Sequence, residues 1–140
     1  MITDQYNEIM AIMDTLKGAG QPFSEVFSWP DPMPKTFPIA IVNMEEGDQR
    51  DESSNIKILT NDFLIRCCFR QKDTSAAYLQ RSQVADQVYN AFTVSGVADY
   101  LNGTATKMDI KHKFFITDTA DQPIFGVDFF IKTELIMQVS

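Results

Sequence analysis

The sequence predicts an α+β domain, an antiparallel or mixed β-sheet flanked by two α-helices, with a long protruding β-hairpin. Three patterns carry this expectation. Apolar residues recur at three- and four-residue spacing near the N-terminus and again after Asp73. Apolar and polar residues alternate from Ile124 to Val139. A polar tongue, residues 45–55, separates two strand-like runs. A chain of 140 residues suits one domain, 1–140, with one core.

The first helix is expected from about Thr3 to Lys17, where Tyr6, Ile9, Met10, Met13 and Leu16 form an apolar stripe. Thr3 or Asp4 can cap its start, and Gly18 with Gly20 ends it. Phe23 to Trp29 reads as a short strand. Pro30, Pro32, Pro34 and Pro38 follow as a connector that lacks backbone donors. Ile39 to Met44 reads as a buried strand, and Ile56 to Arg70 sets Phe63, Ile65, Cys67 and Phe69 on one side and Leu64, Arg66, Cys68 and Arg70 on the other. Paired as a hairpin, these runs make the tongue its tip, a loop longer than a tight turn needs.

Asp73-Thr74-Ser75 opens a second helix reaching about Phe92, with Ala77, Arg81, Val84, Val88 and Ala91 or Phe92 on one face. Lys107 to Thr117 and Ile124 to Val139 then read as strands joined by the polar turn 118–123. On the last strand Phe125, Val127, Phe129, Ile131, Thr133, Leu135, Met137 and Val139 share a face, and Phe130 and Ile136 stand out as apolar residues on the opposite one.

Composition narrows the functions. Hydrophobic residues at 44% and charged residues at 22% fit a packed domain. The net charge is −7, and the tongue concentrates Glu45, Glu46, Asp48, Asp51 and Glu52 against Arg50 alone. Phosphate binding needs a basic face, and the best candidate, Lys107, Lys111 and Lys113, is interrupted by Asp109, so stable nucleic-acid binding is not expected. Cys67 and Cys68 are adjacent and point to opposite faces of a strand, which excludes an easy bridge between them and any zinc spacing. The start of the chain lacks the pattern of a signal peptide, and no apolar run has membrane-spanning length, so a soluble protein not exported by that route is expected.

The single histidine, His112, has no companions for a metal site or triad and reads as a sheet-face residue. Asp118 and Asp121 sit in a turn, and Asp48, Asp51 and Glu52 lack the spacing of a calcium loop. Gly18-Ala19-Gly20 follows a helix where a dinucleotide motif would follow a strand. No catalytic residue, cofactor or metal is expected, and the protein reads as a non-enzyme that works as a surface.

The layout as a whole resembles the tail terminator proteins of long-tailed, lambda-like bacteriophages. The carriers are the helix Tyr6 to Leu16, the aromatic strand Phe23 to Phe27, the approach Thr36 to Val42, the polar tongue, the strand Asp62 to Arg66, the helix around Gln83 to Tyr89 and the closing strand. The resemblance implies a virion structural protein assembled in the host cytoplasm. It implies a homo-oligomeric ring, a hexamer, that caps the tail tube, stops its polymerisation and joins the head connector. Its partners would be itself, the tail tube protein and the head-completion protein, with genomic DNA only passing through the lumen and no membrane involved. On that reading Glu45, Glu46, Asp48, Arg50, Asp51 and Glu52 contact the tube or line the lumen, and Trp29, Phe130 and Ile136 make intersubunit contacts. A head-completion or neck protein is the alternative, and a regulatory domain holding a small apolar molecule in a concave sheet face is a further one.

Overall fold

The computed structural model describes residues 2–28, 37–71, 73–96, 100–117 and 123–138. Helix α1 (Ile2–Asp14) leads to β1 (Glu25–Ser28), β2 (Ile39–Ser53) and β3 (Ile56–Arg70); helix α2 (Thr74–Gly96), β4 (Lys107–Thr117) and β5 (Ile124–Gln138) follow. The strands form one sheet in the order β1-β2-β3-β5-β4, parallel between β1 and β2 and antiparallel elsewhere. Both helices pack on one side of it.

Periodicity explains the layers. From α1, Ile9, Ile12 and Met13 are buried; from α2, Ala77, Val84, Ala85, Val88 and Phe92 are buried. They meet the alternate residues Ala40, Val42, Phe63, Ile65, Cys67, Phe69, Phe125, Val127, Phe129 and Ile131 of the sheet. Burying a side chain such as Phe129 contributes about 2–3 kcal/mol. Helix α1 closes with tighter backbone bonds, Thr15 N to Ile12 O at 3.2 Å and Leu16 N to Met13 O at 2.9 Å, and Phe23 tucks beneath as a fully buried residue. Helix α2 starts as expected: Asp73 Oδ1 accepts from the Ser75 and Ala76 amides at 2.9 and 3.4 Å. Asp73→Ala should therefore cost about 1 kcal/mol of stability, measurable by urea unfolding.

The tongue is a correction. Residues 45–53 are strand and continue β2 without a break in pairing beyond two bulges, and only Ser54 and Asn55 form the turn before β3. The reason lies in the neighbours. β3 pairs with β5 along its entire length, Ile56 opposite Gln138 to Arg70 opposite Ile124, so its outer edge is a straight template on which β2 completes a ladder. An edge strand tolerates charges on both faces, and charge is what such an edge is normally given.

A buried polar knot ties α1 to this extension. Asn61 Nδ2 and Thr133 Oγ1 donate to Gln5 Oε1 at 2.9 and 2.8 Å, and Gln5 Nε2 donates to the Thr104 carbonyl at 2.9 Å. Gln5 is fully buried and sits one residue before Tyr6, the first position expected for the apolar stripe, on the same buried face as Ile9, Ile12 and Met13. Gly47 faces Asn61 across the ladder, where any Cβ would collide with the Asn61 carboxamide oxygen.

Candidate functional site: the open sheet face and its two free edges

The face turned away from the helices is uncovered, and the register lays its residues out in rows across the strands. Asn43, Leu64, Phe130 and Lys111 make one row; Glu46, Asp62, Lys132 and Asp109 the next; Asp48, Thr60, Glu134 and Lys107 the third. Nearer the helix-packed end, Arg66 grips Asp128 with Nε to Oδ1 at 2.9 Å and Nη2 to Oδ2 at 3.0 Å. The Arg66 guanidinium also lies 5.1 Å from the Phe115 ring centroid. The hydrogen-bonded Asp128 carboxylate raises the Arg66 pKa further.

Two of the concavities on this face are of similar size, and a third of about 330 Å³ lies between Ile41, Asn43, Leu64 and Arg66. One, of about 490 Å³, is lined by Glu46, Asp48, Asp62, Lys107, Lys132 and Glu134 among others. The other, of about 480 Å³, adds Glu45, Lys111 and Phe130. The first is walled mainly by charged groups, whereas the second sets Phe63, Phe130 and Ile131 among its charged residues. Among the described residues no group of three or more His, Cys, Asp or Glu could hold a metal ion.

The edges of the sheet are its distinctive feature. β1 covers β2 only at residues 39–42, so residues 43–53 form a free edge, and β4 is the free edge on the other side. The first edge carries Glu45, Glu46 and Asp48, and the second carries Lys107, Lys111 and Lys113. Among the described residues none of these six side chains closes an ion pair. Arg50 with Glu52 at 3.8 Å and Asp51 with Lys57 at 3.9 Å are exposed pairs of little energetic weight. Three inter-strand steps, about 14 Å, separate the acidic edge from the basic one, beyond a Debye length of about 8 Å at physiological salt. The two edges of one subunit therefore do not neutralise each other, although Lys107 has Glu134 as its cross-strand neighbour.

A chain of a solved structure shares the fold. A chain of a structure described as "Virion of native gene transfer agent (GTA) particle" matches with a TM-score of 0.50 and 13% identity, covering 96% of this chain and 91% of that one. At that identity the likeness shows a shared fold. No family model and no curated protein matches the chain.

Glu45, Glu46, Asp48, Arg50, Asp51 and Glu52 all lie on the exposed far half of β2. Phe130 and Ile136 are on the open face, 45% and 47% exposed, as the alternation predicts. Neither sits on a free edge: Phe130 stands between Leu64 and Lys111, and Ile136 stands beside Ile58 near the end of the ribbon. Trp29 lies outside the described residues, as do Asp118, Asp121 and Val139.

His112 faces the helices, its Nδ1 2.7 Å from the Tyr89 hydroxyl and its ring edge-on to Phe114. Cys67 is in the core and Cys68 is on the opposite face; burial pushes both thiols up, Cys68 to about 11. Both therefore stay protonated at neutral pH, unsuited to act as nucleophiles.

Sequence reasoning did not anticipate a basic sheet edge on the border opposite the acidic one. The signs of both segments are legible in the chain, but their positions at opposite borders depend on β5 inserting between β3 and β4.

Proposed function

We propose that this protein is a virion structural component of a phage-like particle, a tail terminator whose subunits close into a ring on the last ring of the tail tube. The observation that carries the reading is the pair of free sheet edges, opposite in charge and opposite in strand direction. Rotation about an axis roughly parallel to the strands leaves strand direction unchanged, so β2 of one copy arrives antiparallel to β4 of the next. Such a head-to-tail contact is heterologous and closes into a ring when the rotation divides the circle, here into six. The fold shared with a chain of a gene transfer agent virion supports a particle component.

In this ring the helices lie outside and the open face lines the lumen. That face interleaves Glu46, Asp48, Asp62, Asp109 and Glu134 with Lys107, Lys111, Lys113 and Lys132, a mixed lining that offers DNA phosphates no continuous basic track to stick to. The end of the ribbon, with Arg50 and the exposed Ile56 and Ile136, seats on the tube. In this reading Ile136 makes an axial intersubunit contact, and Phe130, between Leu64 and Lys111, faces the lumen. The opposite rim of the ring meets the head-completion protein.

Negative-stain electron microscopy of the purified chain, alone and with tail tubes lacking their terminal ring, tests this. Rings of about six subunits and density added at one tube end are expected. Rings that ignore tubes but bind portal complexes would shift the assignment to a neck protein, and compact monomers under all conditions would overturn it.

A further inference from the structure

The free edges carry more than opposite net charge; their residue order selects one pairing register. On the open face the free edge of β2 reads Glu46, Asp48, Arg50, and β4 read backwards gives Lys113, Lys111, Asp109. Antiparallel pairing that keeps every copy's helices on the same side allows only registers that differ by two residues. One of them opposes Glu46 with Lys113, Asp48 with Lys111 and Arg50 with Asp109. A slip of two in one direction sets Asp48 against Asp109 and Arg50 against Lys107. A slip of two in the other sets Arg50 against Lys111. The level register, without stagger, sets Glu46 against Asp109. Like charges directly opposite one another are destabilising, so three complementary pairs stand against one or two clashes.

The other face agrees. The β-bulge between Met44 and Glu46 shifts the alternation, so that Met44 lies on the helix side of the sheet, where it is 47% exposed. In the complementary register Met44 falls opposite Phe114, another exposed apolar residue of the helix side. The Phe114 ring is held in place from behind, because the Arg81 guanidinium stacks 4.5 Å from its centroid and 4.6 Å from that of Tyr78. A thioether against an aromatic ring is a favourable contact. Charge matching on one face and apolar matching on the other thus select the same register, staggered by about four residues from level, as a closed sheet requires some stagger.

We propose that residues 43–53 of one copy pair antiparallel with β4 of the next in the register that opposes Asp48 to Lys111 and Met44 to Phe114. This rests on the ring reading above and specifies its contact. The test is disulfide trapping in the full-length chain. Asp48→Cys combined with Lys111→Cys should give, under mild oxidation, a ladder of covalent oligomers up to the closed ring. The two positions lie too far apart within one copy to bridge internally. Asp48→Cys with Lys107→Cys, the level register, should give none.

A charge swap supplies a second reading. Asp48→Lys should raise the concentration for half-assembly about tenfold, and adding Lys111→Asp to the same chain should restore it. Trapping through Lys107→Cys in place of Lys111→Cys, or a swap that fails to restore assembly, overturns the register while leaving the ring intact. A wild-type chain that stays monomeric alone and on tube ends overturns the ring and the register together.

Discussion

Gly126→Val should lower stability by about 3 kcal/mol, enough to drop the melting temperature by about 10 °C in a chain of this size. Gly126 sits on the open face of β5 between Cys68 and Phe115. A Cβ there would collide with the Phe115 ring and with the Cys67 carbonyl oxygen. The ring could rotate away, but the carbonyl belongs to the β3–β5 ladder and can move only with the strand. Displacing Phe115 also removes the surface on which Arg66 stacks while it holds Asp128. A largely buried carboxylate would then keep its partner at a poorer geometry, adding to the cost.

Thermal and urea unfolding of Gly126→Val, Phe115→Ala and the double variant would separate the two clashes. A double variant that recovers only part of the loss identifies the backbone carbonyl as the harder obstacle. A loss below about 1 kcal/mol in Gly126→Val would mean that β5 shifts freely at this point, contrary to its pairing on both sides.

Much of this architecture is legible in the chain because burial on one side produces alternation. β5 has Phe125, Val127, Phe129 and Ile131 inward, and β4 begins and ends where its pattern does, at Lys107 and Thr117. Residues 45–53 gave no such signal. They are exposed on both faces, so nothing forces apolar residues onto alternate positions, and the bulge at Glu45 interrupts what alternation exists. Their strand state comes from the partner, and intrinsic β-propensity is a weak guide when the partner decides.

Gln5 illustrates a different limit. A glutamine in a helix reads as solvent-facing, and its burial depends on Asn61 and Thr133, 56 and 128 residues away in sequence. Arg81 was expected on the packed face of α2 and is there only in part, half-buried and stacked between Tyr78 and Phe114 at the sheet border. The candidate site was legible as a charged segment and two apolar positions. That the segment is a free edge, and that a complementary edge closes the other side of the sheet, follows only from the strand order.

Replacing Glu45, Glu46, Asp48, Asp51 and Glu52 with Asn or Ser should leave the subunit's melting temperature unchanged and raise the concentration needed for ring assembly about a hundredfold. Within the subunit these carboxylates make only the two exposed pairs at 3.8 and 3.9 Å, and their mutual repulsion offsets what those pairs contribute. In the proposed ring Glu46 and Asp48 face Lys113 and Lys111 of the next copy, where each opposed pair adds to association. Salt provides the control. Raising ionic strength from 0.1 to 1 M shortens the Debye length from about 10 to about 3 Å, so wild-type rings should weaken with salt while the neutralised variant responds little. Sedimentation across a salt series reads both effects on the same samples. In particles, the variant should yield tails of uncontrolled length or tails not joined to heads. Rings at wild-type concentration with wild-type salt dependence, or a normal yield of infectious particles, would remove the acidic edge from the assembly and leave the far half of β2 as a solvated border.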